Sequence, residues 1–387
     1  MIMKISQGNL RVCLFVLYLF LSLCHPWRMS IESDQPHMRR KGRASASNAT
    51  GRFDLPRIAV DDGWEQEAPP EVIPTEIRQE TAKSIISYNR SPDLPFDRSI
   101  NPYRGCEHGC IYCFARPTHA YLGLSPGLDF ETQLIARPNA AELLRKELCA
   151  KRYKVAPIAI GTNTDPYQPC ERDLEITRSC LKVLRDFRHP VAIVTKGALV
   201  ERDIDLLSEM AALGLVRVGI SVTTLDPDLS RRMEPRAPSP ARRLATIRRL
   251  SEAGIPVRVM TSPIVPGLTD HEIEALLAAG AEAGADAASW IMLRLPREVS
   301  ELWQEWLSLH VPGRAAKVMA RLREMHGGRE YDPRWGERMR GTGEYAGMIG
   351  RRFRAACKRL GLTERSEPQR CDLFARPAQA GDQLALF

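Results

Sequence analysis

The chain has 387 residues, 44% of them hydrophobic and 26% charged, with a formal net charge of +8. A chain of this size and composition buries a substantial core unaided, which excludes a disulfide framework as its organising principle. The basic excess is spread over Arg-rich helices and tails, so it reads first as solvated surface and second as a footprint for nucleic acid or another anionic partner.

A basic start (Lys4, Arg11) precedes the apolar run at 12–24, VCLFVLYLFLSLC. That is the length of a signal-peptide core and short for a membrane span. His25, Pro26 and Trp27 follow it instead of a small-x-small cleavage site. The reading is a natural start at Met29 or Met38, with a membrane anchor over 1–28 as the alternative; no stable membrane association is expected. Residues 29–90, with RRKGRASASNAT and EQEAPPEVIPTE, read as a polar extended arm.

From 95 to 296 short β-branched runs alternate with amphipathic helices. Strands are predicted at 98–103, 157–163, 191–196, 216–223, 257–264 and 287–295. Helices are predicted at 139–150, 174–187, 202–213, 239–254 and 271–284. Ser239 and Asp270 are the candidate N-caps of the last two, and Gly254 suits the end of the first of these. Residues 297–361 read as a helical C-terminal extension and 362–387 as an irregular tail. Strands that are short, apolar throughout and separated by helices belong to a parallel sheet covered on both faces, which makes the fold class α/β. Six units fall short of a closed eight-fold barrel, leaving a six-unit partial barrel or an open doubly wound sheet. Either one binds ligands at the carboxyl ends of its strands.

Of ten cysteines, three lie within eight residues, in NPYRGCEHGCIYCFARP. Three thiolates at C-x3-C-x2-C spacing, Cys106, Cys110 and Cys113, can each hold one iron of a [4Fe-4S] cubane and leave the fourth iron open. An open iron can chelate the amino and carboxylate groups of S-adenosylmethionine, and electron transfer then breaks its sulfonium C–S bond. Zinc is the competing reading, with His108 or His119 as a fourth ligand. Gly105 and Gly109 suit a backbone that wraps closely, and Tyr112 either shields the cluster, contacts adenine or simply packs. The scattered cysteines fit a reducing compartment, and the cytoplasm is the expected location.

The cysteine motif resembles that of the radical SAM superfamily. Together with GRFDLPR, GTNTDPYQPCE, VTKGALVERDIDLL, EPRAPSPARRL and PIVPGLTD, it is similar to the spore photoproduct lyase branch, also labelled DNA repair photolyase-like. That resemblance implies a partial (βα)6 TIM-type barrel, one [4Fe-4S] cluster, bound S-adenosylmethionine and an external electron donor of the flavodoxin or ferredoxin type. It implies that Lys196 meets the S-adenosylmethionine carboxylate and Ser221 its ribose or carboxylate. Thr164 and Asp165 would line the same pocket, and PIVPGLTD would flank the adenine. Arg236 either holds an anionic substrate or pairs with Glu234. The branch's hydrogen-donor cysteine has no counterpart before Thr164, and Cys170 reads as an ordinary thiol. Three functions follow. The first is a radical SAM enzyme that makes a 5′-deoxyadenosyl radical for hydrogen abstraction from an unidentified substrate. The others are a nucleic-acid lesion-repair lyase and a zinc-bound, non-catalytic binding protein.

Overall fold

A computed structural model describes residues 40–53, 73–365 and 367–378, all within one compact unit spanning Gln35–Phe387. The apolar run at 12–24 and the candidate starts Met29 and Met38 lie outside the described residues. In chain order the strands are β1 (Glu76–Gln79), β2 (Ile86–Tyr88), β3 (Arg98–Ile100), β4 (Tyr103–Arg104), β5 (Gln133–Ala136), β6 (Ile158–Ile160), β7 (Val191–Thr195), β8 (Val216–Ser221), β9 (Val257–Ile264) and β10 (Ala287–Met292).

The main sheet runs β10-β9-β8-β7-β6-β3-β2. β3 and β6 to β10 are the six strands the sequence predicts; they are parallel and stand side by side in chain order. A doubly wound sheet reverses its order at a switch point. This one never does, which is the winding of a partial barrel, and its outer strands leave it open. The residues on the face covered by the helices explain the stability of the arrangement; Val259 meets Gly280 of the helix Ile273–Glu282. Ile158, Ile160, Val191, Val218 and Val259 are fully buried, and each such side chain contributes about 1.5–3 kcal/mol on leaving water.

Part of the segment read as a polar arm is built into the fold. β2 pairs antiparallel with β3, placing Ile86 opposite Ile100, and β1 joins β5 and β4 in a second, three-stranded sheet. Arg40, Arg43, Ser45 and Ser47 are buried. These pieces are too short for their periodicity to show in sequence, and their burial depends on partners far along the chain.

The helices Ala140–Cys149, Ile176–Asp186, Ile204–Ala212, Pro240–Glu252 and Ile273–Glu282 follow their strands as the pattern predicts. Ser239 caps the fourth, its side chain accepting from Arg242 N. Asp270 does not cap the fifth: it opens a 3-10 turn, and its carboxylate is taken by the Tyr345 hydroxyl. The C-terminal part holds helices Val299–His310, Pro312–Met325 and Gly343–Leu360. The last lies along Ile273–Glu282, pinned by Arg352 and Glu274 at 2.6 Å. Trp303 and Trp306 stack at 5.0 Å, and Trp306 Nε1 donates to Arg232 O at 3.0 Å. Residues 367–378 form no helix or strand, yet Gln369 Nε2 donates to Val191 O and Leu215 O at the amino ends of β7 and β8. The opposite, carboxyl ends of the strands remain for a ligand. Among the described residues no helix is long and apolar enough to cross a membrane.

Candidate active site at the carboxyl ends of the strands

The cysteine loop begins directly after β4. Gly105 has φ +76° and Gly109 φ +67°, conformations that cost glycine little and other residues much. There is also no room for a side chain: a Cβ at Gly105 would lie 2.8 Å from Leu134, and one at Gly109 2.7 Å from Glu131 Oε2. Behind the loop sits Arg116, fully buried. Its five N–H donations go to Cys110 O (3.0 Å), Pro126 O (3.0 Å), Gly127 O (2.9 Å), Gly109 O (3.0 Å) and Glu131 Oε1 (2.5 Å). Glu131, also fully buried, accepts in addition from Ala44 N at 3.1 Å and Ser45 N at 3.0 Å. One guanidinium therefore sets the loop's carbonyls, and its counterion ties in the N-terminal segment.

A second clamp comes from the segment after helix Pro227–Met233. Ile111 N donates to Met233 O at 3.0 Å. The buried Glu234 carboxylate takes the Tyr112 hydroxyl and Arg243, and Thr223 Oγ1 donates to it at 2.7 Å. Burial raises the Glu234 pKa, opposed by Arg243. Arg236 does not pair with Glu234; it reaches Glu107 at 2.6 Å. Tyr112 is thus anchored by its hydroxyl, which is more than packing. Arg116, Glu131 and Glu234 were missed in sequence because each acts through partners that only folding brings near.

The structure brings all eight sequence-derived site residues around one cavity: Cys106, Cys110, Tyr112, Cys113, Thr164, Asp165, Lys196 and Ser221. Lys196, at the end of β7, has no acidic partner among the described residues, and its Nζ lies 5.7 Å from the Tyr112 ring centre. Asp165 is occupied. It accepts from Lys196 N (2.8 Å), Thr195 Oγ1 (2.5 Å) and Tyr167 N (2.9 Å), and His108 Nδ1 lies 3.2 Å away. Burial alone would raise its pKa, but His108 and these donors outweigh burial and hold it below the usual carboxylate range. Asp165 therefore shapes the turn that presents Lys196. Ser221 Oγ donates to Ser262 O at 2.9 Å, which leaves its lone pairs toward the cavity. Thr164 is buried against Tyr103 O at 3.4 Å. Cys170 is buried but does not line the cavity. Phe114 and Arg294, which the sequence reading did not single out, do line it.

The donor set fits a cubane better than a single ion. Three cysteine side chains face one cavity, two buried and one half-buried. Among the described residues no three His, Cys, Asp or Glu side chains are placed to share one metal ion. A zinc site needs its ligands within about 2.3 Å of one point, whereas a cubane gives each thiolate its own iron. The candidate fourth zinc ligands are committed elsewhere: His119 Nε2 lies 2.9 Å from Gln133 O, and His108 stands beside Asp165. Burial pushes the Cys106 and Cys110 thiols up, so a bound cation is what would hold them as thiolates.

Residues 100–279 match the family model described as the Radical SAM superfamily. An uncharacterised protein of Mycobacterium tuberculosis is 39% identical over 235 residues, 60% of this chain and 68% of the relative. One of Methanocaldococcus jannaschii is 30% identical over 198 residues, 51% of this chain and 71% of its own length. Among solved structures, spore photoproduct lyase complexed with dinucleoside spore photoproduct superposes with a TM-score of 0.52 at 16% identity, covering 74% of this chain and 81% of that one. The chain belongs to the radical SAM superfamily. It is an enzyme, and it shares its fold with spore photoproduct lyase. The reading as a non-catalytic binding protein is thereby overturned.

Proposed function

We propose that Cys106, Cys110 and Cys113 hold a [4Fe-4S] cluster and that the cavity beside them binds S-adenosylmethionine. The observation that carries this is the meeting, in one cavity at the strand ends of a superfamily member, of three thiols and a lysine that has no acidic partner among the described residues. When bound, the cluster supplies one electron that cleaves S-adenosylmethionine to methionine and a 5′-deoxyadenosyl radical, which takes a hydrogen atom from the substrate. The chain's own part is to position and to exclude water. Lys196 offers an ammonium to the cofactor carboxylate, and Asp165 orients the turn that carries it. Ser221 offers an acceptor to a ribose hydroxyl. Thr164 and the Tyr112 ring form the walls. An external flavodoxin- or ferredoxin-type donor supplies the electron, and the cytoplasm suits described cysteines that are all free thiols.

Anaerobically reconstituted protein should bind about four irons per chain and release 5′-deoxyadenosine on reduction, with Cys110→Ala doing neither. Deoxyadenosine release no greater than in that variant would sink the proposal. A nucleic-acid lesion-repair lyase remains the narrower alternative, supported by the shared fold and weakened by the position of Cys170. It requires oligonucleotide affinity that falls steeply with salt, so absence of binding at low salt removes it.

A further inference from the structure

We infer that the substrate carries an oxyanion, a carboxylate or a phosphate, and that Arg294 receives it. The inference rests on the proposed function and deepens it. Arg294 follows β10, the sixth parallel strand, and lines the same cavity as the three cysteines. It is half-buried, and burial lowers its pKa. Among the described residues its guanidinium has no ion pair and no hydrogen-bond acceptor. Its Cζ lies 4.0 Å from the centre of the Phe114 ring, and Tyr331, Cys113 and Asp93 act on it only through space. Fully buried Arg243 is matched by Glu234 and half-buried Arg338 by Asp93, whereas half-buried Arg104 and Arg217 have no ion pair among the described residues either, so it is the position in the cavity beside the cysteines that sets Arg294 apart. A desolvated, unpaired guanidinium is costly unless a ligand supplies the counter-charge. Its planar fork suits two oxygens of a carboxylate or phosphate. Contact with the Phe114 ring restrains the guanidinium at the cavity wall.

This oxyanion is not the cofactor's. S-adenosylmethionine has one carboxylate, and Lys196 stands ready for it on β7. Arg294 leaves the sheet three strands away, roughly 14 Å at about 4.8 Å per strand. Among the described residues neither cation has an ion pair: Cys113 acts on Arg294 and Cys110 on Lys196 only through space, which leaves Lys196 for the cofactor's carboxylate and Arg294 for an oxyanion of the substrate. Asn163, on the β6 side of the cavity, has its backbone N–H bonded to Asn101 at 3.1 Å, which fixes that rim.

The test is calorimetric titration of the cluster-loaded, S-adenosylmethionine-saturated protein with inorganic phosphate and with acetate at fixed ionic strength. One of the two should bind the wild type, and which one names the class of oxyanion. Its affinity should fall about tenfold or more in Arg294→Gln and partly recover in Arg294→Lys. S-adenosylmethionine affinity should stay the same in both variants. Ligand-free Arg294→Gln should melt close to wild type, because the stacking on Phe114 is lost but no ion pair or hydrogen bond is. The inference is overturned if neither anion binds the wild type, if Arg294→Gln binds it equally well, if that variant loses S-adenosylmethionine affinity, or if it melts well below wild type. Wild type that takes up no iron or no S-adenosylmethionine overturns the proposed function and this inference with it, and that failure is visible before any anion is added.

Discussion

Replacing Arg116 by lysine keeps the charge and removes the geometry. Arg116 satisfies four backbone carbonyls and Glu131 from a fully buried position. Lysine brings three donors on one nitrogen, so at least two of the five acceptors lose their partner where water cannot replace it. At about 1.5 kcal/mol or more for each bond to a charged donor, Arg116→Lys should cost about 3 kcal/mol. Against a total of roughly 5–15 kcal/mol for a folded domain, that is a large fraction. Removing the charge, as in Arg116→Met, strands the Glu131 carboxylate as well and adds about 3–5 kcal/mol. The assay is denaturant unfolding of the cluster-free protein under anaerobic conditions, followed by iron uptake. Arg145→Lys is the control: its pair with Asp186 at 3.0 Å is exposed to solvent, so its loss should cost under about 1 kcal/mol. Arg116→Lys should also load less iron, because the carbonyls of Gly109 and Cys110 set the path between two of the thiols. An Arg116→Lys protein as stable as the control, with full iron, would refute the idea that this guanidinium shapes the loop.

Tyr112→Phe removes the hydroxyl bonded to Glu234 but leaves the ring, and Thr223 still reaches the carboxylate at 2.7 Å; thermal or denaturant unfolding should register a loss of about 1–2 kcal/mol with iron content unchanged. Cluster loss in that variant would instead make the phenol part of cluster retention. The buried His189 accepts from the Tyr153 hydroxyl at Nε2 (2.7 Å) and donates from Nδ1 to Pro190 O (2.9 Å), and burial lowers its pKa from 6.5 to about 4. Above pH 6.5 it is neutral folded and unfolded alike. As the pH falls from 6.5 toward about 4, the unfolded chain takes up a proton that the folded chain refuses, so stability declines across that window by up to about 3 kcal/mol. His189→Gln should flatten this slope in stability-versus-pH measurements, and an unchanged slope would show that other groups carry it.

The strand–helix alternation and the spacing of Cys106, Cys110 and Cys113 were legible because both are relations between near neighbours in the chain. β7, for example, declares itself in VAIVT with a glycine turn after it. Lys196 and Ser221 could be placed at strand ends by the same logic. The direction in which the strands accumulate was not legible, since a partial barrel and a doubly wound sheet share one local pattern and differ in which edge each new strand joins. The supports of the site were also decided by folding alone. Glu234 meets Tyr112 across 122 positions, Ser45 meets Glu131 across 86, and Arg338 meets Asp93 across 245. A buried charge has no periodicity to announce it. Its partner is whichever group the curvature of the sheet brings within reach, and at Arg294 the curvature brings the Phe114 ring and, among the described residues, no ion pair.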